Sequence, residues 1–177
     1  PITFTDIGMH FTAGANTVEL VHDGGEELPY SMAVAYRSTQ PADHADAAVG
    51  VTTALERTEL PMGEAVRLTA TATNRTDTPQ PMTLVRVGIP GGLTWQTWQL
   101  KELRDRGLIA FYETRPREVV LYLDGMGPGE VVDLPLDLVA TVPGSYTGPA
   151  SSAYLYYTND QKTWAEGLRV TIARSGE

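Results

Sequence analysis

The stretch VVDLPLDLVATV, residues 131–142, sets Val132, Leu134, Leu136, Leu138, Ala140 and Val142 on one parity. An apolar residue at every second position is the period of a strand with one buried face, whereas a helix would scatter the same residues around its axis. Pro135 falls inside the run and has no amide proton to give to a ladder, so an edge strand or a bulge is expected there.

The alternation continues in both directions from this run. Val119, Leu121 and Leu123 precede it, and before them come Val85, Val87 and Ile89, then Val66, Leu68, Ala70 and Ala72. Leu28, Tyr30, Met32, Val34 and Tyr36 share a parity near the start; Ala153, Leu155 and Tyr157, then Leu168, Val170 and Ile172, do so near the end. Roughly ten such segments, divided by Gly, Pro, Asn and Asp turns, predict an all-β chain built as an antiparallel β-sandwich.

One segment breaks the period. GGLTWQTWQLKELRDRG, residues 91–107, carries Trp95, Trp98, Leu100 and Leu103 at spacings near a helical stripe. Thr94 or Thr97 is expected to cap its first turn, with Lys101, Arg104 and Arg106 toward the end where cations suit the dipole. Gly107 can take the left-handed conformation that stops it. Leu100 and Leu103 should face the sheet, leaving Lys101 and Arg104 in water.

TQPADHADAAVG, residues 39–50, is small, acidic and without apolar period, which marks a linker. The expected division is therefore a β segment over 1–40, a linker over 41–49 and a sandwich over 50–177. Forty residues with three strands cannot bury enough apolar surface to stand alone, so the first segment is expected to lean on the second domain or to be part of a domain whose remainder is missing. The chain opens on Pro1 with no leader before it and is expected to be an excised piece.

Thirteen basic and twenty-two acidic residues give a net charge of −9, which repels a phosphate backbone and argues against nucleic acid as partner. With no cysteine, a disulfide scaffold, a thiol nucleophile and a Cys-based metal site are excluded. No run of about 20 apolar residues exists to form a membrane span. Asn74-Arg75-Thr76 is a formal glycosylation triplet. Residues 101–117 hold a local balance of +2 within this acidic chain, a basic spot that can steer an acidic partner. A solvated helix face with minor ion pairs is the plainer reading of the same residues.

Catalytic chemistry finds little support. His10, His22 and His44 have no nucleophile placed beside them by any motif. DHAD, 43–46, reads as solubilising charge sooner than as a metal site, and TNDQK, 158–162, as a hairpin turn. Asp133 and Asp137 share a strand face, but nothing supplies the cleft a carboxylate pair needs. No catalytic, metal or cofactor residue is expected. Tyr154, Tyr156, Tyr157 and Trp164 raise one rival: aromatics on a sandwich can stack on sugar rings, as in carbohydrate-binding modules. The alternative is that one set fills the core while the other pairs across strands.

GGLTWQTWQLKELRDRGLIAFYETRPREVVLYLDGM followed by GSYTGPASSAYLYYTNDQKTW resembles the C-terminal receptor-binding domain of the alpha-2-macroglobulin family of thioester-containing proteins. The order and spacing of the short helix, the YE strand, YLD and YLYYTND carry the likeness, across about residues 50 to 174. GANTVEL and LPYSMAVAY, within residues 1–40, resemble the closing half of the CUB domain that precedes it in the family. The resemblance implies a non-catalytic recognition module of an extracellular or periplasmic protease trap, with a receptor or the thioester domain of the parent as protein partner. In animal members receptor recognition depends on two lysines four apart on the short helix. Lys101 falls on the second position and Thr97, a departure, on the first, while Arg104 is our own candidate for the missing charge.

Overall fold

The computed structural model describes residues 3–12, 16–25, 29–34 and 40–174. The chain divides into two units, residues 1–36 and 37–177. In the first, the regular structure among the described residues is a 3-10 turn, Ile7–Met9. Thr12 and Asn16 exchange two hydrogen bonds of 2.9 and 2.8 Å through the Asn16 side chain. Of the alternating residues near the start, Leu28 and Tyr36 lie outside the described residues. Tyr30, Met32 and Val34 are exposed and belong to no ladder. Among the described residues this segment has no neighbouring strand to take its amides and carbonyls, and alternation alone cannot supply one.

The second unit is the sandwich. Its strands are β1 (Val49–Leu55), β2 (Glu59–Pro61), β3 (Ala65–Asn74), β4 (Thr83–Gly88) and β5 (Leu93–Trp95), then helix α1 (Thr97–Asp105). They continue with β6 (Phe111–Arg115), β7 (Glu118–Leu123), β8 (Val131–Ala140), β9 (Gly144–Thr147), β10 (Ser151–Leu155), β11 (Thr163–Ala165) and β12 (Arg169–Ala173). A four-stranded sheet runs β1-β3-β8-β5 and a five-stranded sheet β11-β10-β4-β7-β6. A third, β2-β12-β9, was not foreseen from the alternation, and its β2–β12 pair is parallel.

One core joins all three. The four-stranded sheet sends in Val66, Leu68, Leu134, Leu136 and Leu138, the five-stranded sheet Val85, Val87, Val119 and Leu121, and the third Leu60, Val170 and Ile172. The alternating runs thus bury the faces expected of them. Two run ends do not: Val142 lies beyond β8 and is exposed, and Tyr157 stands 82% exposed in the turn after β10.

Backbone parity explains Pro135. Asn74 N bonds Glu130 O and Ala140 N bonds Glu64 O, each at 2.9 Å, so the even residues of β8 turn their amides toward β3. The odd ones, including Pro135 and Asp137, turn away from it. On that side β5 pairs only with residues 138–140, so β8 is interior at its end and an edge before it. The missing amide of Pro135 therefore costs no ladder bond.

The expected linker does not hang free. His44 N bonds Lys162 O at 2.8 Å and Asp43 Oδ1 accepts from Trp164 N at 2.7 Å, so residues 43–44 take up outward backbone groups of β11. Ala47 is buried and β1 begins at Val49, inside the stretch read as linker.

Candidate functional site

Helix α1 is held to β8 by packing and by backbone chemistry together. Leu100 and Leu103 are buried, as the stripe predicted. Between them and the exposed face sits Gln99, only 8% exposed: its Nε2 donates to Asp137 O at 3.0 Å and its Oε1 accepts from Asp137 N at 2.7 Å. The side-chain amide stands in for the strand that β5 does not extend far enough to provide. Sequence reasoning passed over Gln99, because polarity places a glutamine outward until the unpaired edge of β8 is known.

The helix ends as expected and begins otherwise. Gly107 has φ +74, Gly107 N bonds Arg104 O at 2.9 Å and Leu108 N bonds Leu103 O at 3.0 Å, a Schellman closure. At the other end neither threonine caps. The N-cap residue is Gln96, extended and without a side-chain bond. Thr94 is committed to β5, where it pairs with Val139 and its hydroxyl meets that of Thr141 at 3.2 Å, and Thr97 is already the first helical residue.

At about 100° per residue, Thr97, Lys101 and Arg104 fall within an arc of about 60°, and all three are exposed. Their charges are not equivalent. Arg104 is tied to Asp105 Oδ1 at 3.1 and 3.3 Å, and Arg106 Nη1 lies 3.9 Å from Glu102 on the next turn. Lys101 has no carboxylate partner among the described residues. Arg104 thus has a carboxylate beside it on the exposed face, whereas Lys101 does not. Trp98 is 60% exposed and one helical turn before Lys101. Trp95 lies on β5 and is half-buried, so the tryptophans do not form one stripe.

The carboxylates weighed as catalysts are engaged. Asp137 accepts a two-pronged pair from Arg67 at 2.7 and 2.9 Å, and this hydrogen bonding holds its carboxyl below the usual aspartate range. Asp133 accepts from the Thr71 hydroxyl at 2.7 Å. Both face outward on the four-stranded sheet. Among the described residues no group of three or more His, Cys, Asp or Glu gathers to hold a metal. Asn74 of the glycosylation triplet is 1% exposed, and its Nδ2 donates to Thr78 O at 2.8 Å and Gly127 O at 2.7 Å. A glycan on that nitrogen is incompatible with this packing.

The aromatics of the β10 region divide differently from expectation. Ala153 faces the core, so Tyr154 lies on the outer face of the five-stranded sheet, where the Lys162 ammonium stands 4.8 Å from its ring centre. Cross-strand neighbours on that face include Tyr122 and Phe111, whose rings meet edge-on at 5.6 Å. Tyr122 donates to Glu113 Oε1 at 2.7 Å, which pushes its phenol up to about 12 and holds the Glu113 carboxyl low. Tyr156 and Tyr157 touch only edge-on at the turn.

Comparison with known proteins agrees with this architecture. Solved structures of similar fold include a mutant Salmonella alpha-2-macroglobulin, with TM-score 0.63 and 20% identity over 78% of this chain and 10% of that one. Native Escherichia coli alpha-2-macroglobulin in a piece running to its C-terminus gives TM-score 0.60 at 14% identity, over 75% and 24%. The native E. coli protein seen by cryo-electron microscopy gives 0.62 at 15%, over 78% and 10%. At these identities the likeness is one of fold, and the chain spans about a tenth of the length of the full Salmonella protein. No curated protein matches by sequence. The family model described as A-macroglobulin receptor binding domain matches residues 78–166, from the turn before β4 through helix α1 to just past β11. The chain belongs to the alpha-macroglobulin receptor-binding domain family.

Proposed function

We propose that the chain is the non-catalytic recognition and packing module of an alpha-2-macroglobulin-like protease trap, docking a protein partner on the outward face of α1. The observation that carries the reading is the way the helix is presented. Leu100, Leu103 and the Gln99–Asp137 bonds fix it to β8, while Lys101, without a carboxylate partner among the described residues, and Trp98 are left in solvent. A lysine so placed acts as a point charge toward an acidic site, and an exposed tryptophan beside it supplies apolar area. The chain has no cysteine, so the thioester of such a trap lies elsewhere in the parent polypeptide. Residues 1–40 would complete a CUB-like domain there, in an extracellular or periplasmic setting. No helix among the described residues is long and apolar enough to cross a membrane.

The test is binding of the chain to an immobilised acidic receptor module and to the thioester domain of a family member. Lys101→Ala should weaken one of the two about tenfold or more with the melting temperature unchanged, because the side chain is exposed and has no carboxylate partner among the described residues. Equal binding by wild type and Lys101→Ala on both surfaces overturns the assignment of this face.

A further inference from the structure

A different part of the molecule holds a notch that the helix reading leaves unused. On the outer face of the five-stranded sheet, Trp164, Ser152, Arg86 and Val120 are direct cross-strand partners in one row. Direct partners share a face, and two strand spacings are about 10 Å. The row reads large, small, large from Trp164 to Arg86, so the indole and the guanidinium stand as walls with Ser152 as floor. A cleft of about 470 Å³ opens there, continued by Glu118, Glu166 and Arg169 and closed on one side by the Gly148–Pro149 backbone. That backbone is pinned: a Cβ on Gly88 would strike Pro149 O and one on Gly167 would strike Gly148 O, so both positions must stay bare.

The lining specifies the ligand. Arg86 is bonded to Glu118 Oε2 at 2.7 and 3.0 Å, and Arg169 to Glu166 at 3.1 Å, so each cation in the cleft is matched by a carboxylate. Neither a phosphate nor an ammonium group gains from such a lining. What remains is a dense set of paired, pre-oriented donors and acceptors beside one indole. Ser152, 1% exposed, makes no side-chain hydrogen bond to any described residue. The Trp164 backbone is itself held, by Asp43 on its amide at 2.7 Å. From this geometry we propose that the cleft binds a neutral pyranose sugar. The C–H face of the ring lies on the Trp164 indole, and its hydroxyls exchange hydrogen bonds with Ser152, Arg86 and Glu118. The volume is that of a small-ligand site, enough for one or two sugar residues. Tyr156 and Tyr157 are not members of this row: they follow the end of β10 and meet each other edge-on.

The experiment is a titration of the full chain with maltose, cellobiose and diacetylchitobiose, followed by the indole N–H resonances of its three tryptophans. With at least one disaccharide the Trp164 signal should move saturably, with a midpoint on the order of 1 mM, while Trp95 and Trp98 stay still. Trp164→Ala and Ser152→Val should each weaken binding about tenfold or more. Arg169→Ala, at an exposed rim, should weaken it severalfold without touching the fold, which keeps the test decisive if a floor variant unfolds. No saturable Trp164 shift with any of the three sugars overturns the proposal. So does a larger response to inorganic phosphate or an acidic peptide, or binding unchanged in Arg169→Ala and Ser152→Val. None of these outcomes bears on Lys101, so the helix reading stands or falls separately.

Discussion

Replacing Gln99 tests whether α1 is held by backbone chemistry or by its leucines alone. The amide makes two bonds to one residue of β8, 2.7 Å from Asp137 N and 3.0 Å to Asp137 O, at a position almost closed to water. A lost hydrogen bond of this kind costs about 1 kcal/mol, and more when the stranded group stays dry. Gln99→Met keeps the stem and packing but removes both bonds, so a loss of about 2–3 kcal/mol is expected, or about 5–10 °C in melting temperature for a domain of this size. Gln99→Glu adds a pH signature. The ionised carboxylate still accepts from Asp137 N but faces Asp137 O with no proton, whereas the protonated acid can serve both groups. Its folded pKa is therefore raised above the ordinary glutamate value of about 4.3. The deficit relative to wild type is present above the folded pKa and shrinks as pH falls through it. Urea unfolding at neutral and at mildly acid pH, with hydrogen exchange at the Asp137 amide, measures wild type and both variants. A Gln99→Met protein within about 0.5 kcal/mol of wild type, with unchanged exchange at Asp137, refutes the argument.

Three further outcomes follow from buried or strained positions. Asn74→Ala should cost about 3 kcal/mol in chemical denaturation, since it strands carbonyls at Thr78 and Gly127 in the interior, and mass spectrometry of chain made in a glycosylating host should find Asn74 bare. Gly107→Ala should cost about 1 kcal/mol, because φ +74 suits only a residue without a Cβ. In an ultraviolet pH titration one of the eight tyrosines should ionise late, near pH 12, and that phase should vanish in Glu113→Gln. The Tyr122 bond contributes fully below the ordinary tyrosine pKa of about 10 and its contribution is lost as pH rises through about 12.

Where a strand presents one face to the core along its whole length, the sequence alone was enough to find it. β3 and β8 are of this kind; β7 buries its alternating Val119, Leu121 and Leu123 but also Val120 on its other face. β1 escaped because Thr52, Thr53 and Ala54 dilute its apolar parity to three buried residues at the start. β2, β5, β9 and β11 span three or four residues each, too few for any period to be read, so the third sheet was invisible. The helix was legible from its leucines and its terminal glycine. Gln99, a polar residue next to those leucines, gave no sign of its burial, because the β8 edge that demands a polar partner at that point is set by the tertiary fold.

The same demand explains the expected linker and bears on what this fold can present to a partner. Three sheet edges of the sandwich are finished by side chains or strap residues in place of strands. Gln99 serves β8, Asp43 and His44 serve β11, and the Thr163 hydroxyl takes Val49 O of β1 at 2.9 Å. An unpaired edge invites pairing with another chain, and each of these caps occupies groups that would otherwise be offered. The two outward sheet faces then differ in kind. The four-stranded sheet shows threonines with the Arg67–Asp137 and Thr71–Asp133 pairs, while the five-stranded sheet shows Tyr154, Tyr122 and Phe111 beside the Trp164 notch. An edge cap that also carries a helix, and a sheet face carrying rings, are where this sandwich departs from a plain solvated surface. Both departures sit on rigid elements, so side chains at Lys101 and Trp164 can be exchanged with little effect on the core beneath them.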